Sequence, residues 1–495
     1  MSLEEIKSFR ENKLNKFEEK EDAYPASVLC DFSLAEVVEN FSKLSRRRKN
    51  IFLVGRVFSI RIHGGMIFCD FKDGSINEKE KKTASLQAYL KKDILGDDKF
   101  SFFEDTVDMG DFVEFEGTLF KTKRGERSIK VVSWRIISKG LRPLPEKWHG
   151  LSDVEERFRK RYLDLLMSDD VRFRFELRSK IITEIRNFLN KNDFLEVETP
   201  ILQSLAGGAL AEPFKTHHNA LDSDLFLRIA PELYLKRLLM GGFEKVYEIG
   251  KNFRNEGIDV SHNPEFTMLE FYQAYKDADF ARSFVEELLG SVVKKVFGKK
   301  NISYEGTQIS FSKKFKVMTF FDVLERHALL NNPSTATRED FTLKAQQFGI
   351  EVREADSIGK IADNIFKKVC RSKIIQPTFI IDHPLSISPL AKRKEKGAEV
   401  VDRFQLVAGG LELVNGFSEL NDPREQSKRF EKQQELKKMG DKEAPEFDNS
   451  FIEAMEYGMP PAVGVGIGID RLIMFLLNIP NIREVVLFPT LKSKK

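Results

Sequence analysis

Between residues 252 and 275 the chain reads NFRNEGIDVSHNPEFTMLEFYQAY. Read as two strands joined by a polar loop, alternate residues share a face. Arg254 and Glu256 then point one way from the outgoing strand, and Phe266, Met268, Glu270 and Tyr272 share a face of the return strand. The loop adds His262 and Asn263. A guanidinium can pair with an anionic group, carboxylates with a cation, and a ring with a flat base. A merely solvated sheet face would leave Phe266 and Tyr272 exposed among charges, which argues for a ligand site. A second group lies in RFQLVAGGLELVNGFSELND, residues 403–422, where Asn415, Phe417 and Glu419 alternate and Glu412 has the opposite parity. Glu412 and Glu419 can serve one site only if the strand is bulged or broken between them, with Gly416 as the candidate position. Carboxylates beside phosphate-pairing arginines suit Mg²⁺. The third group is GVGIGIDR, with Gly464, Gly466 and Gly468 on one strand face and Arg471 opening a helix. Missing side chains leave a groove where a ligand can approach the backbone. The G-x-G-x-G spacing is not the dinucleotide fingerprint, and there is no P-loop.

Strands and helices must hold these groups. Residues 1–49 read as charged helices, the second near 33–44, ending in the basic run 46–49. Between 51 and 139, IFLVGRVFSIRI, MIFCDF, ASLQAYL, DFVEFEGTLF and SIKVVSWRII are short β-branched or aromatic segments separated by turn residues. They predict a small closed β-barrel of five or so strands, with 75–83 as a polar hairpin tip. Pro143 and Pro145 mark a linker. Beyond it the pattern is α+β: helices over 153–166 and 171–190, a strand in FLEVETPIL ending at Pro200, and an antiparallel pair at 245–254 and 265–275. A mostly helical stretch, 276–375, contains a β interlude near 301–317. Strands return at 376–382 and 403–420, then a charged helix at 422–440, a segment at 449–457, the glycine strand and a helix at 470–477. The expected domains are a helical extension (1–49), the barrel (50–142), a linker (143–152) and an α+β domain (153–495) carrying the helical insertion at about 276–375.

Composition narrows the class. Of 495 residues 41% are hydrophobic and 32% charged, enough for sizeable cores and against wholesale disorder. With 80 Lys+Arg against 77 Asp+Glu, any nucleic-acid affinity must come from a local patch. Cys30, Cys69 and Cys370 are far apart and outside metal spacing, and read as reduced, buried spectators. No apolar run approaches the ~18 residues of a membrane span, and the charged N-terminal segment lacks the apolar core expected of a signal peptide. The expectation is a cytoplasmic protein with no membrane partner.

Taken in order, these motifs resemble those of the class II aminoacyl-tRNA synthetases. FLEVETP resembles motif 1, FRNE with HNPEF motif 2, and GVGIGIDR motif 3; RIAPELYLKR and NGFSELNDP point to the lysyl branch. The resemblance implies an OB-fold anticodon-binding barrel and a catalytic domain built on an antiparallel sheet flanked by helices. Its implied activity is ATP-dependent attachment of L-lysine to tRNA(Lys) through a lysyl-adenylate, with Mg²⁺ as cofactor and ATP as co-substrate. Arg254 and Arg471 would be catalytic. Arg254 would bridge the lysine carboxylate and the α-phosphate, and Phe266 and Arg471 would sandwich adenine. Glu256, His262 and Asn263 would hold the adenine edge and distal phosphates. Ser261 stands where some relatives have a basic residue, which implies a weaker triphosphate contact there. Glu419, Glu270 and Tyr272 would take the ε-ammonium, Glu232 and Gly208 the α-ammonium, and Asn415 the carboxylate. Such a pocket rejects uncharged analogues by roughly 10⁴ or more, because its carboxylates would be left unpaired. Glu412 would bind metal; Gln405 stands where many relatives have a second carboxylate, which weakens that position. On the barrel, Phe68 would stack on an anticodon base, with Gln87, Arg61 and Glu126 beside it. The basic run at 46–49, with Lys121, Lys123 and Arg124, could track phosphates. Pro200 would lie at a homodimer interface, next to a helix whose apolar stripe (Ile181, Ile182, Ile185, Phe188, Leu189) fits burial against a second chain. Two rivals are a paralogue that lysylates a protein such as elongation factor P, which lacks the barrel, and a non-catalytic RNA-binding protein, which should have lost Arg254, Glu232 or Arg471.

Overall fold

A computed structural model describes residues 1–145, 153–209, 211–354, 356–438 and 446–492. Most of the expected linker, residues 146–152, lies outside them, as do the last two positions of the expected helix at 422–440. The chain forms two compact units, Met1–Phe173 and Arg174–Lys495.

In the first unit, β1 (Ile51–His63), β2 (Met66–Asn77), β3 (Lys82–Lys91), β4 (Phe112–Lys121) and β5 (Arg127–Ser138) close into a barrel in the order β1-β2-β3-β5-β4. Alternation drives this. Leu53, Val57, Ile67, Cys69, Phe71, Leu86 and Ala88 point inward and are buried, while their neighbours are not. The N-terminal segment contributes to the same core. In α1 (Leu3–Glu18), Phe17 is fully buried and stacks on Phe102 with ring centroids 5.6 Å apart. Arg10 Nη1 donates to the carbonyl of Gly140 at 2.6 Å. The single helix expected near 33–44 is two, Leu34–Glu39 and Phe41–Arg46, meeting at Asn40. Cys69 and Cys370 are buried, but Cys30 is exposed, against the expectation that all three are interior; no disulfide joins them.

The second unit is built on an eight-stranded sheet. In chain order its strands are β6 (Leu195–Glu196), β7 (Lys245–Phe253), β8 (Glu265–Ala274), β9 (Lys316–Thr319), β10 (Thr378–Pro384), β11 (Val400–Ala408), β12 (Leu411–Ser418) and β13 (Ala462–Gly468). Their order in space is β9-β10-β11-β12-β13-β8-β7-β6, antiparallel except at the two edges. One face, with Leu269, Phe271, Val414, Val463, Val465 and Ile467, packs into a core shared with the helices α2 (Asp169–Lys191), α4 (Ala278–Phe297) and α5 (Ile469–Leu477). Between α2 and α4 in the chain, α3 (Glu232–Met240) packs on β8.

Three expectations change here. FLEVETPIL is not one strand: it holds the two-residue strand β6, runs irregularly through Pro200, and ends at Leu202, the first residue of a short strand (Leu202–Gln203) outside this sheet. The apolar stripe of α2 faces this chain's own core, with Ile181, Ile185 and Leu189 fully buried, so it is not free to cover a partner. Strand β7 stops at Phe253, so Arg254 and Glu256 belong to the following loop rather than to a strand face. Pairing reaches one residue further, through the Arg254 N–H and the Pro264 carbonyl at 2.9 Å.

Candidate active site

The sheet's other face opens onto a cavity of about 560 Å³. Its floor depends on a β-bulge. Gln405 pairs with Asn415 and Leu406 with Val414, but Val407 pairs with Glu412, so Leu413 is the extra residue. The slip reverses parity and brings Glu412 to the same face as Gln405 and Asn415. The break required between Glu412 and Glu419 therefore exists, but at Leu413. Gly416 serves close packing instead: a Cβ there would lie 2.6 Å from the Phe404 ring. Arg403, half-buried on the same face as Gln405, donates from Nε to Asn415 Oδ1 at 2.9 Å. That contact turns the Asn415 amide NH₂ towards a ligand acceptor.

At one end of the cavity three carboxylates crowd together. Glu232, Glu270 and Glu419 are 6%, 4% and 1% exposed. The Tyr272 hydroxyl donates to Glu270 Oε2 at 3.0 Å. Lys236 Nζ lies 2.6 Å from Glu232 Oε1 and 2.5 Å from Glu419 Oε2. Burial, reinforced by Glu232, pushes the Glu270 carboxyl up to about 8. Burial also pushes Glu419 up to about 8, opposed by Lys236. The glycine strand makes the room: a Cβ on Gly464 would stand 2.2 Å from Glu419 Oε1 and 2.3 Å from Tyr272 Cε1. One on Gly466 would meet the Met268 methyl at 2.6 Å. Gly208, at φ +86°, brings its backbone against Glu232, where a Cβ would sit 2.9 Å from that residue's own Cβ.

The rest of the cavity lining mixes cations with carboxylates. Arg254 lines it with its guanidinium 5.1 Å above the Phe266 ring, and burial lowers its pKa. Arg471 Nη2 donates to His262 Nε2 at 2.8 Å, while His262 Nδ1 faces Asp259 Oδ2 at 2.8 Å. Arg254, rather than Arg471, thus covers the ring assigned to adenine. Asn263 Nδ2 donates to the Glu265 carbonyl at 2.6 Å, leaving Oδ1 buried with no partner. Glu256 is exposed at the rim. Lys360, Lys367 and Arg371, from the segment 358–373, line the same cavity.

No cluster of three or more acidic, His or Cys groups able to hold a metal occurs among the described residues. Glu412 and the buried, unpartnered Gln405 Oε1 do both line the cavity. One carboxylate and one neutral oxygen fit an ion that takes its remaining ligands from phosphates and water, the usual Mg²⁺ arrangement.

Comparison with known proteins decides what this cavity belongs to. A family model described as tRNA synthetases class II (D, K and N) matches residues 153–492, and an OB-fold nucleic acid binding domain matches 51–137. A lysine–tRNA ligase of Pelotomaculum thermopropionicum is 46% identical over all of this chain and 96% of its own length. One of Syntrophomonas wolfei is 46% identical over all of this chain and 98% of its own. One of Aquifex aeolicus is 46% identical over 97% of this chain and 77% of its own. The chain belongs to the class II tRNA synthetases, in the lysine–tRNA ligase family.

In the synthetase's barrel, Phe68 is half-buried and packs on Tyr89 (ring centroids 5.2 Å apart), which packs on Phe120 (5.6 Å). Cross-strand pairing aligns Arg61 with Phe68 and Tyr89 with Lys130. Gln87 Oε1 accepts from the Ser128 hydroxyl at 3.1 Å, and Arg61 pairs with Asp70 at 2.8 Å. Glu126 is exposed in the β4–β5 turn, near the exposed Lys121, Lys123 and Arg124. Sequence reading missed Lys236, Arg403, Tyr89 and Phe120. Three had a signal: Lys236 is one helical turn after Glu232, Arg403 two positions before Gln405, and Tyr89 two after Gln87. Phe120 had none, since only the barrel's closure brings it beside Tyr89.

Proposed function

We infer that the synthetase activates L-lysine with ATP and transfers it to tRNA(Lys). The observation that carries this reading is the pairing of charges in one cavity: Glu232 and Glu270, backed by the buried Glu419, and the guanidinium groups of Arg254, Arg403 and Arg471 in the same lining. Lysine has two ammonium groups for the carboxylates and a carboxylate for the guanidinium groups. In the first step a lysine carboxylate oxygen attacks the α-phosphorus, the bond to the β-phosphate oxygen breaks, and lysyl-adenylate and pyrophosphate form. Arg254 holds the two mutually repelling anions together, as a guanidinium fork can. Asn415, oriented by Arg403, donates to the lysine carboxylate, and Glu270, Glu419 and Tyr272 receive the ε-ammonium. Glu232 and the backbone at Gly208 receive the α-ammonium. Adenine stacks on Phe266 once Arg254 turns to the phosphate and Arg471 leaves His262; Glu256, His262 and Asn263 hold the base edge and distal phosphates. In the second step a terminal ribose hydroxyl attacks the lysyl carbonyl carbon and AMP leaves. No protein nucleophile is required; fixed charges stabilise the transition state. Mg²⁺, held by Glu412 and Gln405, would offset phosphate charge. Lysine-dependent ATP–pyrophosphate exchange, with and without tRNA, tests the reading, and lysine-independent exchange would overturn it.

The barrel supplies anticodon recognition, with Phe68 stacking on a base and Gln87, Arg61 and Glu126 beside it. The whole works in the cytosol; no helix among the described residues is long and apolar enough to cross a membrane. The synthetase acts as a homodimer. Strand β6 ends the sheet with an open edge, and Leu195, Ile201 and Leu202, flanking Pro200, are 48%, 44% and 48% exposed. Proline cannot extend a ladder, so a second copy packs across this edge by an isologous contact. Sedimentation at sub-micromolar concentration should show a dimer; a fully active monomer would overturn it.

A further inference from the structure

Lys236 has no role in the scheme above, yet it sits in the most charged part of the site. It follows Glu232 by one turn of α3 and is 1% exposed. An ammonium has three donors. Two face Glu232 Oε1 and Glu419 Oε2, and the nitrogen lies 5.4 Å from the centre of the Phe417 ring. Glu232, Glu270, Tyr272 and Phe417 line the cavity, whereas Glu419 and Lys236 stand behind them. Glu419 Oε1 has no hydrogen-bond partner and lies against the Cβ-free face of Gly464.

We propose that Lys236 is a specificity-determining positioning residue, a built-in ammonium that holds Glu232 and Glu419 in place and sets how much positive charge the pocket requires of its ligand. This rests on the reading of the pocket as the lysine site. Three carboxylates against one fixed ammonium leave two negative charges, and lysine brings two ammonium groups. A ligand with one ammonium leaves a buried carboxylate unpaired, which is costly. Without Lys236 the pocket holds one negative charge more than lysine can match, so one carboxylate must keep its proton while the substrate is held. Burial opposes the charge on Lys236, but Glu232 and Glu419 together keep its pKa above the ordinary lysine value. The other groups facing this cluster are Tyr272 on β8, Arg403 on β11, and Glu248 on β7, which Arg228 neutralises at 2.5 Å.

The test is Lys236→Met and Lys236→Arg in the full-length enzyme, with lysine KM, ATP KM and kcat measured by pyrophosphate exchange from about pH 6 to 9. Lys236→Met should raise the lysine KM about tenfold or more, the loss expected for a charged hydrogen bond, and leave ATP KM and kcat within about twofold. It should also move the pH limb of lysine KM to the alkaline side by on the order of one unit. Lys236→Arg should keep the limb near its original place. An unmoved limb in Lys236→Met, or equal losses in lysine and ATP parameters, overturns the proposal. If Lys236→Met does not fold, Lys236→Gln replaces it; if neither folds, Lys236 is a folding residue and the proposal fails. Glu419→Gln separates the layers. If it too leaves the lysine KM unchanged, the pocket is not the lysine site; if only the Lys236 variants are silent, the pocket reading stands and this proposal falls.

Discussion

Each unit of the synthetase buries a lysine among carboxylates, and the two clusters differ in one respect. In the barrel unit, Lys139 Nζ reaches the Thr106 carbonyl at 2.6 Å, Asp108 Oδ2 at 2.6 Å and Asp111 Oδ2 at 2.7 Å. Asp111 Oδ1 accepts from the Gly140 N–H at 2.8 Å, and Asp108 Oδ1 accepts from Lys13 at 2.9 Å. Every donor has an acceptor. Around Lys236 the network is unfinished, because Glu419 Oε1 is buried with no hydrogen-bond partner and Glu270 pairs with Tyr272 alone. A completed buried network fixes a fold; an incomplete one costs stability and persists where a ligand completes it.

The largest expected effect comes from breaking the completed cluster. Lys139→Met leaves Asp108 and Asp111 without their shared cation and should destabilise the barrel unit by about 3–5 kcal/mol, the usual cost of halving a buried ion pair. Denaturant unfolding checks it. Lys236→Met should lose much less, because Glu419 and Glu270 already hold protons easily. Equal losses would erase the distinction drawn between the clusters.

Next in size is Glu419→Gln. It removes a proposed partner of the ε-ammonium and should cost about 1.5–3 kcal/mol in lysine kcat/KM. Norleucine, which has no ε-ammonium, is the control. Unchanged discrimination between the two amino acids would sink the assignment.

The barrel face proposed to read the anticodon is built on a third principle, half-exposed rings rather than buried charge. Phe68→Ala should weaken tRNA charging by roughly 1–3 kcal/mol through lost stacking and leave pyrophosphate exchange intact. If both fell together, Phe68 would be a packing residue of the Phe68–Tyr89–Phe120 row.

How legible these regions were follows from the range of the interactions that make them. Period-two alternation in the five barrel segments and in 245–275 is local, and strands stand there in the structure. The cavity lining on β8 and β13 was legible because strand parity and missing side chains are written in the chain itself. The extra residue at Leu413 was legible only as a requirement, since its position depends on pairing with β11. The stripe on α2 was misread because an apolar face does not say whether its partner is the same chain or another. FLEVETPIL has strand composition throughout, yet only its ends find neighbours: Leu195–Glu196 on β7, and Leu202 against Leu227 outside the main sheet. Lys236 went unnoticed because a lysine on a helix is ordinarily solvated, and only the packing of α3 against β8 and the segment after β12 encloses it.

The last test is also the most direct comparison of the clusters, because it needs no mutation. Burial raises Glu270 and Glu419 each to about 8 in the empty pocket, above the ordinary 4.5. A bound ammonium favours the ionised carboxylates, so lysine binding releases protons. Affinity for lysine should therefore rise with pH from about 6 to about 8, by at most about tenfold per unit for each proton released, and level off once the empty pocket is ionised. In the absence of lysine the sign for stability is the reverse: the folded unit binds more protons than the unfolded chain between pH 4.5 and about 8, so these groups favour folding at the acid end of that window and less as pH rises through it. The barrel cluster behaves differently. Burial raises Asp111, but Lys13 and Lys139 hold Asp108 below its usual value, so the two acidic groups oppose each other. Calorimetric titration of lysine in buffers of different ionisation enthalpy reads the protons directly. Binding without proton release at pH 7 would mean that both carboxylates are already ionised beside Lys236, and the unfinished cluster would be as fully charged as the finished one.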